Sequence, residues 1–327
     1  ALQKNYASYE VYQVAYGDLL IVASNRPSLP KPDWSIFTSS FLQADLCRFA
    51  PLTPDALDEL RIAGRDELGP LLQSYGANSD FYPVLDLGAE RRRFRRDFAT
   101  GLPSLAGDWF NLLASLKGNR TPPGGQMMPA LPENDRARAR SLGALLRSPN
   151  VLAPNDTAFG PVSRDAVYRW RLWQATLASN QPPGNWELWL EQANAIDRLR
   201  NGGTAGVADE EFYRSLVQYM NRFKAPQVVR DVVEFRHGVA SWRFAEVAET
   251  GERLLPVVTS QRRWIGGDEF RDGLVVAKLQ LRDPAGAQRR FYQLAPLSTR
   301  KPTDLRSQLL EAYVTTAAQS QPNVAQR

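Results

Sequence analysis

The sequence predicts a mainly α-helical protein that opens with a β-hairpin, and three observations lead there. Strand-type patterning is concentrated in one early stretch, residues Tyr9–Ser24. Apolar residues recur at helical spacing through most of the chain after it. Proline and glycine crowd into Gly118–Pro132, where neither helix nor strand can continue. The resulting division is an N-terminal segment over 1–100, a helix and Pro/Gly-rich linker over 101–135, a helical domain over 136–318 and a polar, frayed tail over 319–327.

The opening reads YEVYQVAYGDLLIVAS. Tyr9, Val11 and Gln13 alternate with Glu10, Tyr12 and Val14, Gly17-Asp18 supplies turn chemistry, and Leu19–Ala23 is a continuous apolar run. That pattern predicts strand, turn and strand, the second buried on both faces. A two-stranded hairpin is marginal in water and has to join a sheet. The other strand candidate is Tyr82–Leu87. After the proline-punctuated loop Asn25–Trp34, Ser35–Arg48 reads as a helix. Thr53 then caps another, with Pro54 at its first position, where the missing N–H costs nothing. Glu67–Tyr75 reads as a short helix, and Leu105, Trp109, Leu112, Leu113 and Leu116 mark one more.

Beyond the linker the predicted helices are Arg136–Leu146, Val167–Leu177, the face Trp186–Leu199, the face Phe212–Phe223, Val228–Phe235, Ala240–Leu254, Phe270–Leu281, Ala285–Leu297 and Leu305–Ala317. Gly202-Gly203 separates the second face from the third. Phe270–Leu281, the turn Arg282-Asp283-Pro284, then Ala287, Phe291, Leu294 and Ala295 resemble a tetratricopeptide hairpin. They do not keep a 34-residue register. The expectation is an irregular, TPR-like helical array.

Composition removes several kinds of chemistry. The chain has 327 residues with one cysteine, Cys47, and one histidine, His237. These cannot form an internal disulfide or a Cys/His zinc site. Any Ser-His-Asp or Cys-His mechanism would have to run through His237, which shows no orienting acid and reads as a structural histidine at a helix junction. Cys47 reads as a small core residue. Trp170, Trp173, Trp186 and Trp189 read as core more than as a ligand cage. Forty Lys+Arg against 35 Asp+Glu is close to balance and argues against a nucleic-acid partner. No stretch is long and apolar enough to cross a membrane.

The most informative string is Asn78-Ser79-Asp80-Phe81-Tyr82-Pro83-Val84-Leu85-Asp86. Physically it is a run of turn residues followed by an extended entry at Tyr82-Pro83. Together with VY…GDLLIVAS and the proline-rich loop, it resembles the C-terminal part of the spermidine-synthase-like proteins. The likeness is greatest to long bacterial forms that carry a membrane half before a class I methyltransferase-like domain. The likeness covers residues 1–96. The matching family string reads N-T-D-D-x-P-x-L-E; Ser79 replaces its threonine and Phe81 its second aspartate.

The resemblance implies that Tyr9–Ser24 is the closing hairpin of a Rossmann-like sheet and that this chain is a fragment, consistent with its start at Ala1. It implies a parent that transfers aminopropyl groups using decarboxylated S-adenosylmethionine or S-adenosylmethionine. Asn78, Asp80 and Asp86 would then lie at the lip of the parent site. The Gly-Gly pairs here do not follow a strand and open a helix as a nucleotide loop requires, so the chain is expected to hold no cosubstrate or metal and to lack catalytic residues of its own. Its partner would be the missing N-terminal part of the same polypeptide.

Arg91, Arg92, Arg93, Arg95 and Arg96 form the densest basic run. They read as a solvated helix start, or as a contact for an anionic membrane surface on the cytoplasmic side of an inner-membrane-anchored parent. The alternative function is a non-enzymatic scaffold whose helical array binds a protein partner.

Overall fold

The computed structural model describes residues 2–15, 18–30, 61–73, 112–117, 161–201, 208–261 and 263–320, with positions 33, 35, 39–41, 105 and 146. The architecture is mainly α, with a small antiparallel sheet at the N-terminus and a helical array after it. Tyr82–Leu87, the helix opening at Thr53, the linker Gly118–Pro132 and nearly all of Ser35–Arg48 and Arg136–Leu146 lie outside the described residues.

A short helix α1 (Leu2–Asn5) precedes the hairpin β1 (Ser8–Ala15) and β2 (Asp18–Ser24). The two expected strands are present and pair antiparallel, in the register Ser8↔Ser24 to Ala15↔Asp18, while Gly17 of the expected turn lies outside the described residues. A third strand, β3 (Arg61–Gly64), pairs antiparallel with β1, so the order is β2-β1-β3. Four residues are too few to show alternation, and for that reason periodicity does not predict β3.

The central place falls to β1, and this corrects the expectation that β2 is buried on both faces. Tyr9 and Val11 of β1 are 1% and 2% exposed, whereas Leu20, Ile21 and Val22 of β2 are 50%, 43% and 42% exposed. An apolar run marks a strand that can be buried; only a neighbour on each side buries it.

Glu10 pairs with Arg61 across the β1–β3 seam, and Arg61 reaches on to Glu67 at 2.9 Å. Glu67 opens helix α2 (Arg65–Leu72) by accepting from the Gly64 N–H at 2.9 Å. Arg65 donates to the carbonyls of Gln3 and Tyr6, tying α1 to the sheet. Helix α3 (Leu112–Lys117) follows, with Leu105, Leu112, Leu113 and Leu116 buried as their spacing predicts.

The array comprises α4 (Pro161–Ala178), α5 (Trp186–Asn201), α6 (Glu210–Arg222), α7 (Gln227–Ser241), α8 (Phe244–Gln261), α9 (Gly267–Gln280), α10 (Pro284–Leu294) and α11 (Leu305–Gln319). Helices α5, α7, α9 and α11 begin 41, 40 and 38 residues apart, and α7 and α9 each pack on the helix that follows them. Capping sets many of the boundaries. Asp209 accepts from Phe212 N to start α6, Asp283 from Gly286 N with Pro284 behind it to start α10, and Asp304 from Arg306 N to start α11.

One predicted boundary moves. The expected break between Phe235 and Ala240 falls instead at Trp242, which leaves α7 in the left-handed conformation at φ 56°. Gly238 lies inside α7 and permits a close crossing: a Cβ there would meet Val247 of α8 at 2.8 Å. Gly273 does the same for α9 against Phe235, at 2.9 Å.

One hydrophobic cluster runs from Tyr9 and Val11 through Leu68 and Leu112 to Phe270, Leu309 and Val314. Helix α2 packs on α11, with the Tyr313 hydroxyl donating to Glu67 O at 2.9 Å. The Gln280 amide donates to Ser115 O and Leu116 O at 2.9 and 2.6 Å, joining α9 to α3. Helix α9 is buried on every side from Glu269 to Ala277 and forms the centre of the array.

Candidate functional site: an open strand edge and a buried polar centre

Asn78, Asp80, Asp86, Arg91, Arg92, Arg93, Arg95, Arg96 and Cys47 lie outside the described residues. Among the described residues two features stand out.

The first is β2. Residues directly opposite in the ladder share a face, so Ile21 lies with Val11 on the core side and Leu20 and Val22 lie with Tyr12 and Glu10 on the other. Consecutive exposure of Leu20, Ile21 and Val22 therefore leaves both faces of the strand open. Among the described strands none pairs with its outer edge. An open apolar edge is a template for another strand.

The second is a polar centre where α5, α6, α7 and α9 meet. The Tyr213 hydroxyl donates to Asp197 Oδ2 at 2.9 Å. The Arg236 guanidinium forks onto Glu269 at 2.6 and 3.2 Å and donates to Leu190 O at 3.2 Å. Asp197 Oδ1 is buried and has no hydrogen-bond partner among the described residues. Beside it lies a cavity of about 10 Å³, lined by Leu190, Asp197, Phe212, Tyr213, Val233 and Arg236, with room for about one water-sized group.

Burial pushes the Asp197 carboxyl up to about 6, against the Tyr213 hydrogen bond and the Arg236 charge, which favour ionisation. Burial, and then the Asp197 charge, hold the Tyr213 phenol well above its ordinary value. Asp197 had a readable signal: Leu190, Ala193 and Ile196 form a buried stripe on α5, and Asp197 interrupts its edge.

His237 borders this centre. It sits inside α7, not at a junction, and it does have an acid: Nε2 lies 3.0 Å from both carboxylate oxygens of Glu210. Its Nδ1 is 2.6 Å from Arg243 Nη2. A guanidinium only donates, so Nδ1 accepts and the Nε2 proton faces Glu210. The ring stacks on Tyr213 at 4.3 Å. Glu210 is 27 residues away in sequence, which hides the pair from local reading.

Trp173 and Trp189 are core, as expected, and Trp170 and Trp186 pack half-buried against it. Trp173 and Trp189 are buried 5.4 Å apart, and Trp189 stacks flat on Tyr219. Arg200 lies 4.1 Å above Trp170 and bonds Asp209 at 2.7 Å. Elsewhere Asp272 is fully buried and accepts from Arg271, Arg300 and Arg306 at 3.0, 2.6 and 3.0 Å, locking α11 and its preceding loop to α9.

No group of three or more His, Cys, Asp and Glu among the described residues could hold a metal. No described helix is long and apolar enough to cross a membrane. The polar centre can hold or pass a proton, and its cavity is too small for an organic substrate. No family model, curated protein or solved structure matches this chain.

Proposed function

We propose that this chain completes an open α/β sheet supplied by further polypeptide, and that β2 is the strand that receives it. The observation that carries the reading is the consecutive exposure of Leu20, Ile21 and Val22 on an edge strand. Burying a side chain of this size stabilises by about 1.5–3 kcal/mol, so covering what these three still expose is worth a few kcal/mol. Only a strand also satisfies the edge N–H and C=O groups.

Combined with the resemblance of residues 1–96 to spermidine-synthase-like proteins, the sheet so completed belongs to an aminopropyl transferase. Its cosubstrate, decarboxylated S-adenosylmethionine or S-adenosylmethionine, binds on the other part. Asn78, Asp80 and Asp86 stand at the lip of that site, and Arg91–Arg96 face an anionic membrane surface on the cytoplasmic side. The enclosure of α7 and α9 along most of their length favours this reading over a scaffold that offers its inner helices to a protein partner.

The reading frame upstream of Ala1 tests the idea first. An in-frame strand, Gly-rich loop and helix are expected; an immediately preceding stop codon overturns it. In the longer polypeptide, Leu20→Lys with Val22→Lys is expected to lower the melting temperature and the aminopropyl transfer rate. The same pair should leave the melting of residues 1–327 unchanged, because both side chains are already exposed there. Equal small effects in both proteins would overturn the docking role of β2.

A further inference from the structure

We propose that the Asp197 carboxyl is a proton-operated latch that closes helices α5 and α6 onto the central helices α7 and α9. The geometry is that of two carboxylates and one guanidinium. Arg236 of α7 is spent on Glu269 of α9, through both nitrogens of its fork, and on Leu190 O. Asp197 of α5 faces the same guanidinium, and among the described residues only the Tyr213 hydroxyl of α6 is bonded to it. Its second oxygen is buried beside a cavity that holds about one water-sized group.

The other charged groups around it are accounted for. Glu269 and Asp209 repel an ionised Asp197, and Arg236 attracts it. Asp209 is paired with Arg200. On the far side of Tyr213 stands His237, between Glu210 and Arg243. Helix α4 meets α5 through Trp173 and Trp189, and its Asp165–Arg169 pair is exposed. An ionised Asp197 therefore shares the Arg236 guanidinium with Glu269 and, among the described residues, keeps one buried oxygen unbonded, which strains the seam. A protonated one turns an acceptor into a donor and removes the repulsion.

The sign follows from the carboxyl's position near 6 in the folded chain against 3.8 as its ordinary value. A raised carboxyl binds its proton more tightly when folded. The folded state therefore gains as pH falls through about 6, and loses that gain as pH rises. Between pH 7 and pH 5 the gain is about tenfold in the folding equilibrium constant.

The test is denaturant unfolding of the full chain from pH 5 to pH 8, with Asp197→Asn beside the wild type. The variant mimics the protonated form. It is expected to be the more stable protein at pH 7–8, with the difference shrinking by about tenfold toward pH 5. A difference that stays constant with pH overturns the latch.

Tyr213→Phe removes the hydroxyl that favours the ionised form and should move the midpoint of the pH response upward. An unmoved midpoint counts against the assignment to this carboxyl. Two measurements on the wild type serve if either variant fails to fold. Carboxyl-carbon NMR should show one aspartate titrating near pH 6. Amide exchange along the α5–α7 seam, corrected for intrinsic rate, should quicken above that pH. No aspartate titrating above pH 5, or a seam indifferent to pH, refutes the latch.

Discussion

Asp197, with one buried carboxylate oxygen, and the fully buried Asp272 differ in how many guanidinium groups each commands. Asp272 accepts from three, Arg271, Arg300 and Arg306. Asp197 shares one that Glu269 already holds. Removing Asp272 therefore leaves buried positive charge behind, whereas neutralising Asp197 removes a misfit. Asp272→Ala is expected to cost about 3–5 kcal/mol, read as a lower midpoint in urea. A loss below about 1 kcal/mol would show that the three arginines find other partners. The role of Asp272 was not legible locally: its partners other than Arg271 lie 28 and 34 residues ahead. The histidine shows the same limit. Its neighbours in sequence suggest a helix end, while Glu210 and Tyr213, which define its surroundings, come from another helix.

Among the elements, most helices past residue 160 were readable from apolar residues at helical spacing, and an aspartate cap reinforces this for α6, α10 and α11. Helix α6 has Asp209 at its start and buried Phe212, Leu216 and Met220 on one face. The turn at Arg282-Asp283-Pro284 behaves as its residues dictate. The failures have physical causes too. Strand β3 is four residues long and is held by its ladder to β1 and by Glu10–Arg61, both long-range. Helix α7 runs through Gly238 because that glycine serves a helix crossing and not a turn.

A methyl group at such a crossing has nowhere to go. Gly273→Ala places a Cβ 2.9 Å from the Phe235 ring and is expected to destabilise by about 1–3 kcal/mol through overpacking, despite alanine's better helix propensity. Chemical denaturation measures it. A stabilised variant would mean that α7 and α9 can separate without loss.

At the scale of the molecule, the N-terminal unit closes the end of the array. Helix α11 lies against α10 on one side and α2 on the other, and Leu68 and Leu71 face the core that Leu309 and Val314 join. Helices α7 and α9 each pack on the helix that follows them; for α11 that place is taken by α2. A terminal unit of a stacked array needs such a cover. Deleting residues 1–73 is therefore expected to speed amide exchange in α11 and α10 first, with α6 and α7 less affected. Uniform protection along the truncated array would show that α2 contributes no cover. The same arrangement links the open β2 edge to the array through one continuous core.

The sequence by itself determined the mainly helical class, the two N-terminal strands, the helix starts after Asp283 and at Leu305, and the core placement of Trp173 and Trp189. Each of these depends on residues within a few positions of one another. The tertiary structure alone decided which strand is central, where α7 ends, which helix covers α11 and which carboxylate shares its guanidinium with another. Those outcomes depend on groups tens to hundreds of residues apart. Leu19–Ala23 shows the difference most plainly. Its composition states that the strand can be buried, and only the placement of β1 between β2 and β3 leaves it open.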